Sequence, residues 1–158
     1  MIIAAYAGTG KTTLAALYPE KVIDLVCMPY KYLFGQDNEC NEASKANPDN
    51  IIQDDWPSNY VHAIKRALDD DDKIILIPTD LLILSLLKSE KLPYTIVYPQ
   101  RDAKKIYRER FLKRGNTKEF IDIFIGRWDR FLDCLEKDTY GFHIVLQPNQ
   151  FLGDVVEV

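Results

Sequence analysis

The chain has 158 residues, a net charge of −4, and a composition that is 47% hydrophobic and 28% charged. That profile belongs to a globular domain with a substantial core; it excludes a disordered chain, and no apolar run approaches the ~20 residues of a membrane-spanning helix. Cys27, Cys40 and Cys134 are odd in number and far apart, and neither they nor His62 and His143 show metal-ligand spacing, so free thiols, no zinc site and a cytoplasmic location are expected.

The first elements are the most informative. "MIIAA" (Met1–Ala5) is a short apolar run of the kind that forms a buried strand. "AYAGTGKTTLA" follows, matching the phosphate-loop pattern G-x-x-x-x-G-K-[S/T] except that Ala5 stands at its first glycine. Lys11 begins a helical stretch rich in Ala and Leu that Pro19 closes. Strand, glycine turn and helix therefore occur in the order that a phosphate site requires. Gly8 and Gly10 let successive N–H groups point at one place, with Thr9 and Thr13 in the same loop, and the helix start adds its own N–H groups. Lys11 supplies a cation for the β- and γ-phosphates, and the Thr12 hydroxyl is suited to Mg²⁺.

"KVIDLVC" (Lys21–Cys27) reads as a second strand, with Asp24 as its only acid. Residues 28–55 lack periodicity and read as an irregular substrate-side insertion. Tyr30, Tyr32, Trp56 and Tyr60, in and around it, are candidates for stacking on a base, with about half expected in the core. "WPSNYVHAIKRALDD" reads as a helix, "KIILIP" (Lys73–Pro78) as a strand, and "DLLILSLLKSE" as a helix with Asp80 near its start. Asp80 is open to two readings, Mg²⁺ binding or helix capping. "YTIVYP" (Tyr94–Pro99) is the fourth strand, followed by helices over about 103–114 and 117–138, the second with Asn116 and Glu119 in capping-box register. "HIVLQ" (His143–Gln147) is the fifth strand, and "FLGDVVEV" reads as a short edge element.

Strands alternating with helices predict an α/β fold, a three-layer α/β/α arrangement around a five-stranded parallel sheet, in one domain spanning 1–158. The phosphate loop, Asp24, Thr79–Asp80 and Pro99–Arg101 then share the rim at the carboxyl ends of the strands. The segment Arg101–Lys118 holds eight Lys or Arg against two acids, a local +6 on an acidic chain. A basic segment on an acidic body points to a specific anionic target and argues against a general nucleic-acid surface. Helical geometry puts Ala103, Ile106, Tyr107, Arg110 and Arg114 on one side and Lys104, Lys105 and Arg108 away from it. Arg110 and Arg114 thus read as an overhang above a ligand, with Arg127 on the next helix in reach of it; the alternative is surface arginines paired with acids.

Together, the N-terminal phosphate loop, the five strands and the R-x-x-x-R pair Arg110–Arg114 resemble small P-loop kinases of the nucleoside monophosphate kinase and shikimate kinase type. "YPQRDAKKIYRERFLKRGN" and "WPSNYVHAIK" are similar to uncharacterised, often phage-associated members of that class. The resemblance implies the P-loop NTPase fold, ATP and Mg²⁺ as cofactors, and transfer of the γ-phosphate to a small acceptor, a nucleoside or nucleotide. It implies that Arg110 and Arg114 act on the transferred phosphoryl group, and that Asp24 contacts the acceptor hydroxyl, unless it serves as a cap. No carboxylate ends the "IILIP" strand, where the class carries one, because Asp80 comes two residues late. Two other functions stay open: a non-catalytic ATP-binding module acting through a partner, and a 5′-end polynucleotide kinase that uses the outward Lys104, Lys105 and Arg108.

Overall fold

The computed structural model describes residues 1–33, 51–70 and 72–158. β1 (Ile2–Ala5) leads into α1 (Lys11–Leu17), then β2 (Val22–Asp24), α2 (Met28–Lys31) and β3 (Tyr32–Leu33). After residues 34–50 come β4 (Ile51–Ile52), α3 (Ser58–Leu68), β5 (Ile74–Ile77), α4 (Leu81–Ser89) and β6 (Tyr94–Pro99). A 3-10 turn at Arg101–Ala103 opens α5 (Lys104–Lys113), followed by α6 (Lys118–Phe124), α7 (Trp128–Glu136), β7 (Phe142–Leu146) and a second 3-10 turn at Leu152–Asp154.

Five strands form one parallel sheet in the order β2-β5-β1-β6-β7, with Ile2 paired to both Ile75 and Tyr94. The α/β class and the five-stranded parallel sheet expected from the sequence are present. β1 sits at the centre because both of its faces are apolar. Ile2, Ala4 and Tyr6 pack into one core with Tyr60, Ile64, Ile83, Leu87, Tyr107, Phe111, Trp128 and Leu132. Ile3 and Ala5 face the other way, onto Leu14, Val22, Leu76, Val97, Leu146 and Leu152. Such two-sided burial is what parallel sheets require. The chain runs from β1 towards β2 and β5 on one side, then crosses to β6 and β7 on the other. The loop after β1 therefore leaves the sheet where the direction of winding reverses, the place where open α/β sheets bind ligands.

Four expectations need correction. The helix expected over 117–138 is two helices, because Gly126 breaks it: a Cβ there would lie 2.2 Å from the Asp122 carbonyl oxygen. The cap of α6 is Thr117, whose hydroxyl accepts from the Phe120 N–H at 3.2 Å, and not Asn116. The segment expected to be irregular has ordered flanks, α2 and an antiparallel ribbon in which Tyr32 pairs with Ile52; residues 34–50 lie outside the described residues. The tail "FLGDVVEV" adds no edge strand. It turns through Leu152–Asp154 and buries Leu152 against the second core.

Candidate nucleotide site

The turn after β1 has a shape that favours glycine. Gly8 (φ +79°) and Gly10 (φ +96°) lie in the left-handed region, and a Cβ on Gly8 would meet the Phe111 ring at 2.8 Å. Between them Thr9 is buried, with its hydroxyl donating to the Tyr6 carbonyl at 2.8 Å. Tyr6 is itself fixed, since its N–H donates to the Val97 carbonyl at 2.9 Å and its hydroxyl to the Phe124 carbonyl at 3.0 Å. Among the described residues, no protein acceptor takes the N–H groups of Ala7, Gly8, Gly10, Thr12 or Thr13. Five donors around one glycine turn, flanked by a lysine, form a concavity suited to an anion with many oxygens. The Lys11 ammonium folds over the strand end, donating to the Ala5 and Tyr6 carbonyls at 2.8 and 3.2 Å.

The Thr12 hydroxyl donates to the Asp24 carboxylate at 2.7 Å. The sequence singled out both residues but did not pair them. β5 lies between β1 and β2, the registers set Asp24 level with Leu76 and Leu76 with Ile3, and the hydrogen bond ties the end of β2 to the first turn of α1. With its proton directed at Asp24, the Thr12 oxygen keeps its lone pairs for another partner.

Asp80 takes up the capping role. One of its oxygens accepts from the Leu82 and Ile83 N–H groups at 2.9 and 3.4 Å, and the other lies 3.7 Å from the Lys31 ammonium. It makes no hydrogen bond to Thr12.

The arginines separate into different environments. Arg110 reaches the loop: its guanidinium donates to the Gly8 carbonyl at 3.4 Å and the Pro148 carbonyl at 3.0 Å. It also lies between two rings, 4.6 Å from the Tyr107 centroid and 4.0 Å from that of Phe151. Arg114 caps the C-terminal end of α5 and is exposed, as is Arg127 at the start of α7. Neither guanidinium has a hydrogen bond or ion pair among the described residues. The buried stripe of α5 is Ala103, Tyr107 and Phe111, with Arg110 at its edge, so Arg114 is not on the buried side as the helical projection expected. Arg101, expected on the rim, is drawn aside by Asp129, Asp133 and Glu136 at 3.1, 2.7 and 2.9 Å.

Two contributors were not read from the sequence. Phe151 sits over the loop, with ring atoms 3.4 Å from where a Gly10 Cβ would stand, and the Leu152 N–H donates to the Thr9 carbonyl at 2.9 Å. Lys31, at the end of α2 after β2, lies 5.4 Å from the Trp56 ring centroid and 5.6 Å from that of Tyr32. Of the four aromatics proposed to stack on a base, Tyr60 is wholly buried, its hydroxyl donating to the Leu25 carbonyl, and Tyr30 packs on it at 5.3 Å. Burial pushes the Cys27 thiol up to about 11, against the opposing pull of Lys31 and Lys11, so it is protonated at neutral pH.

No protein-family model matches the chain, and no curated protein matches it.

Proposed function

We propose that the protein is a kinase with the P-loop NTPase fold, binding ATP with Mg²⁺ and transferring the γ-phosphate to a small acceptor, a nucleoside or nucleotide. The observation that carries this reading is the Thr12–Asp24 hydrogen bond at 2.7 Å, placed beside Lys11 and the open N–H groups of the glycine turn. A passive glycine turn has no need of a threonine oriented by a carboxylate. The donor set fits a polyphosphate, and the Thr12 oxygen backed by Asp24 fits a hard cation.

The residues then divide the work. Backbone N–H groups of Gly8–Thr13 and the Lys11 ammonium hold the phosphates, and Thr12 takes Mg²⁺ with Asp24 behind it. That role for Asp24 differs from the acceptor contact that the resemblance implies. Arg110, stacked on Phe151 and bonded to Gly8, positions the nucleotide, whereas Arg114 and Arg127, unpaired among the described residues, are available to developing charge. Bound ATP supplies the phosphoryl group; the protein's part is positioning and charge stabilisation.

Calorimetric titration of ATP with and without Mg²⁺, on the native protein and Lys11→Ala, tests the binding half. Native affinity that Lys11→Ala fails to weaken would remove the loop from the reading. Coupled assay of ATP consumption against nucleosides, nucleotides, small alcohols and 5′-hydroxyl oligonucleotides tests the transfer half. A second reading, an ATP-binding module without catalysis, is favoured by the commitment of Asp80 to the α4 cap. Binding without turnover on any acceptor would select it.

A further inference from the structure

β7 is an open edge of the sheet: it pairs with β6 on one side and, among the described residues, with no strand on the other. The Gln100 N–H donates to the Leu146 carbonyl at 2.9 Å, so Leu146, and with it Ile144 and Phe142, turns its backbone groups towards β6. His143 and Val145 turn theirs outward, and none of those four groups has a partner among the described residues. The row stops at both ends. The Gly141 N–H donates to Asp138 Oδ1 at 2.8 Å, and the Gln147 N–H to Gln150 Oε1 at 2.8 Å. The open groups are thus placed symmetrically about Ile144.

The strand carries none of the devices that usually keep such an edge from pairing. Phe142–Leu146 contains no lysine, no acid and no proline, and Phe142 and Val145 are 76% and 44% exposed. The opposite edge, β2, has only three residues and ends on Asp24, so it is both short and charged. The His143 ring is drawn back onto its own chain. Its Nε2 donates to the Asp138 carbonyl at 2.7 Å, and its Nδ1 accepts from the Tyr98 hydroxyl at 3.1 Å. The ring nitrogens therefore do not serve the outward backbone groups.

We infer that β7 is a self-association edge, to which a second copy of this chain adds its own β7, antiparallel about a twofold axis at Ile144. His143 then lies opposite the partner's Val145, and Val145 opposite the partner's His143. Each pair exchanges two hydrogen bonds, and every open group of both copies is used. A shift of two residues either way sets one of these residues against Gly141 or Gln147, whose N–H groups are already taken. A shift of one residue sets outward groups against inward ones. The register is therefore single. On one face Phe142 comes to lie across from the partner's Leu146, and on the other Val145 lies across from the partner's His143. A longer, unrelated strand would run past Gly141 and Gln147 with its own groups unmade, whereas a second β7 stops where the row stops. The strand also brings no Lys, Arg, Asp or Glu into register across the axis. A contact of five residues a side is small, so the dimer is weak and depends on concentration. The pairing uses no residue of the nucleotide site.

Sedimentation velocity of the full chain over a wide concentration series tests it. The native protein is expected to pass from monomer to dimer as concentration rises. Val145→Lys places a charge on the bare edge, and Val145→Pro removes an N–H that no bond within the chain uses. Each should weaken association about tenfold or more and leave the far-ultraviolet circular dichroism unchanged. Amide hydrogen exchange reads the register. The His143 and Val145 amides should exchange more slowly as the dimer forms, whereas Ile144, whose backbone faces β6, should not change. A native chain that is monomeric throughout overturns the proposal and leaves the edge to an extended segment of another protein. Dimers that survive in both Val145 variants, or that form without slowing the His143 and Val145 amides, overturn it as well. If Val145→Pro fails to fold, Val145→Lys and the exchange pattern decide.

Discussion

At Gly8 both the backbone and the neighbouring ring oppose any side chain. Left-handed φ costs a non-glycine residue about 1–2 kcal/mol, and the 2.8 Å approach to Phe111 adds a displacement of the core on top of it. Gly115 offers the control, because its φ of +75° is similar but nothing lies within 4 Å of its missing Cβ. Gly8→Ala is expected to lower the melting temperature more than Gly115→Ala and to weaken ATP binding, which Gly115→Ala leaves intact; thermal unfolding and calorimetry check both. The two arginines should separate in kinetics. Arg110 touches the loop in the resting protein, so Arg110→Ala is expected to raise KM for ATP. The exposed Arg114 is expected to act at the barrier, so Arg114→Ala should lower kcat by up to about a hundredfold, with one preorganised donor at ~2.7–4 kcal/mol as the ceiling for a side chain held by no partner among the described residues. Lys104→Ala and Arg108→Ala, at exposed and solvated charges, should change neither constant appreciably. Unchanged kcat and KM in all four variants would show the basic segment to be a surface without a role.

Helix α4 turns the two readings of Asp80 into an experiment. Its carboxylate accepts from two N–H groups of the first turn, and removing such a cap costs about 0.5–2 kcal/mol, so Asp80→Ala should lower stability on that scale. Asn caps as well as Asp does, so Asp80→Asn should keep stability and the Mg²⁺ dependence of ATP binding; a shift in that dependence would mean that Asp80 serves the cation. The elements were legible in proportion to how local their causes are. β1, the glycine turn and α1 follow from an apolar run, two glycines and a helix former within a single stretch of chain. The five strands follow for the same reason, whereas Asp80 stays open between cap and cation until α4 is seen to start on it. The break at Gly126 was readable in principle from the glycine alone, yet the apolar stripe Phe120, Phe124, Trp128 and Phe131 continues across it and masks it. Thr12–Asp24 and Arg110–Phe151 were not readable as pairs, since sheet order and tail docking bring them together.

For the molecule as a whole, the loop near the start of the chain is completed by residues near its end. Phe151 covers Gly10 and one side of Arg110, Pro148 accepts from Arg110, and Leu152 binds the Thr9 carbonyl. Phe151→Ala is therefore expected to weaken ATP binding at least several-fold while leaving the far-ultraviolet circular dichroism unchanged; unaltered ATP affinity would reduce the segment to a cover for the second core. Among the described residues, no helix is long and apolar enough to cross a membrane. The same closure has a consequence for biosynthesis. The loop leaves the ribosome well before its last hydrogen-bond and stacking partners, Pro148, Phe151 and Leu152, which follow more than a hundred residues later. At cellular elongation rates that interval is on the order of ten seconds. During it the nascent chain carries an exposed, unbraced glycine turn that lacks its Phe151 cover. Nucleotide affinity should therefore arise abruptly when the final turn emerges, so that ATP bound to stalled nascent chains of increasing length would rise in a single step beyond Leu152.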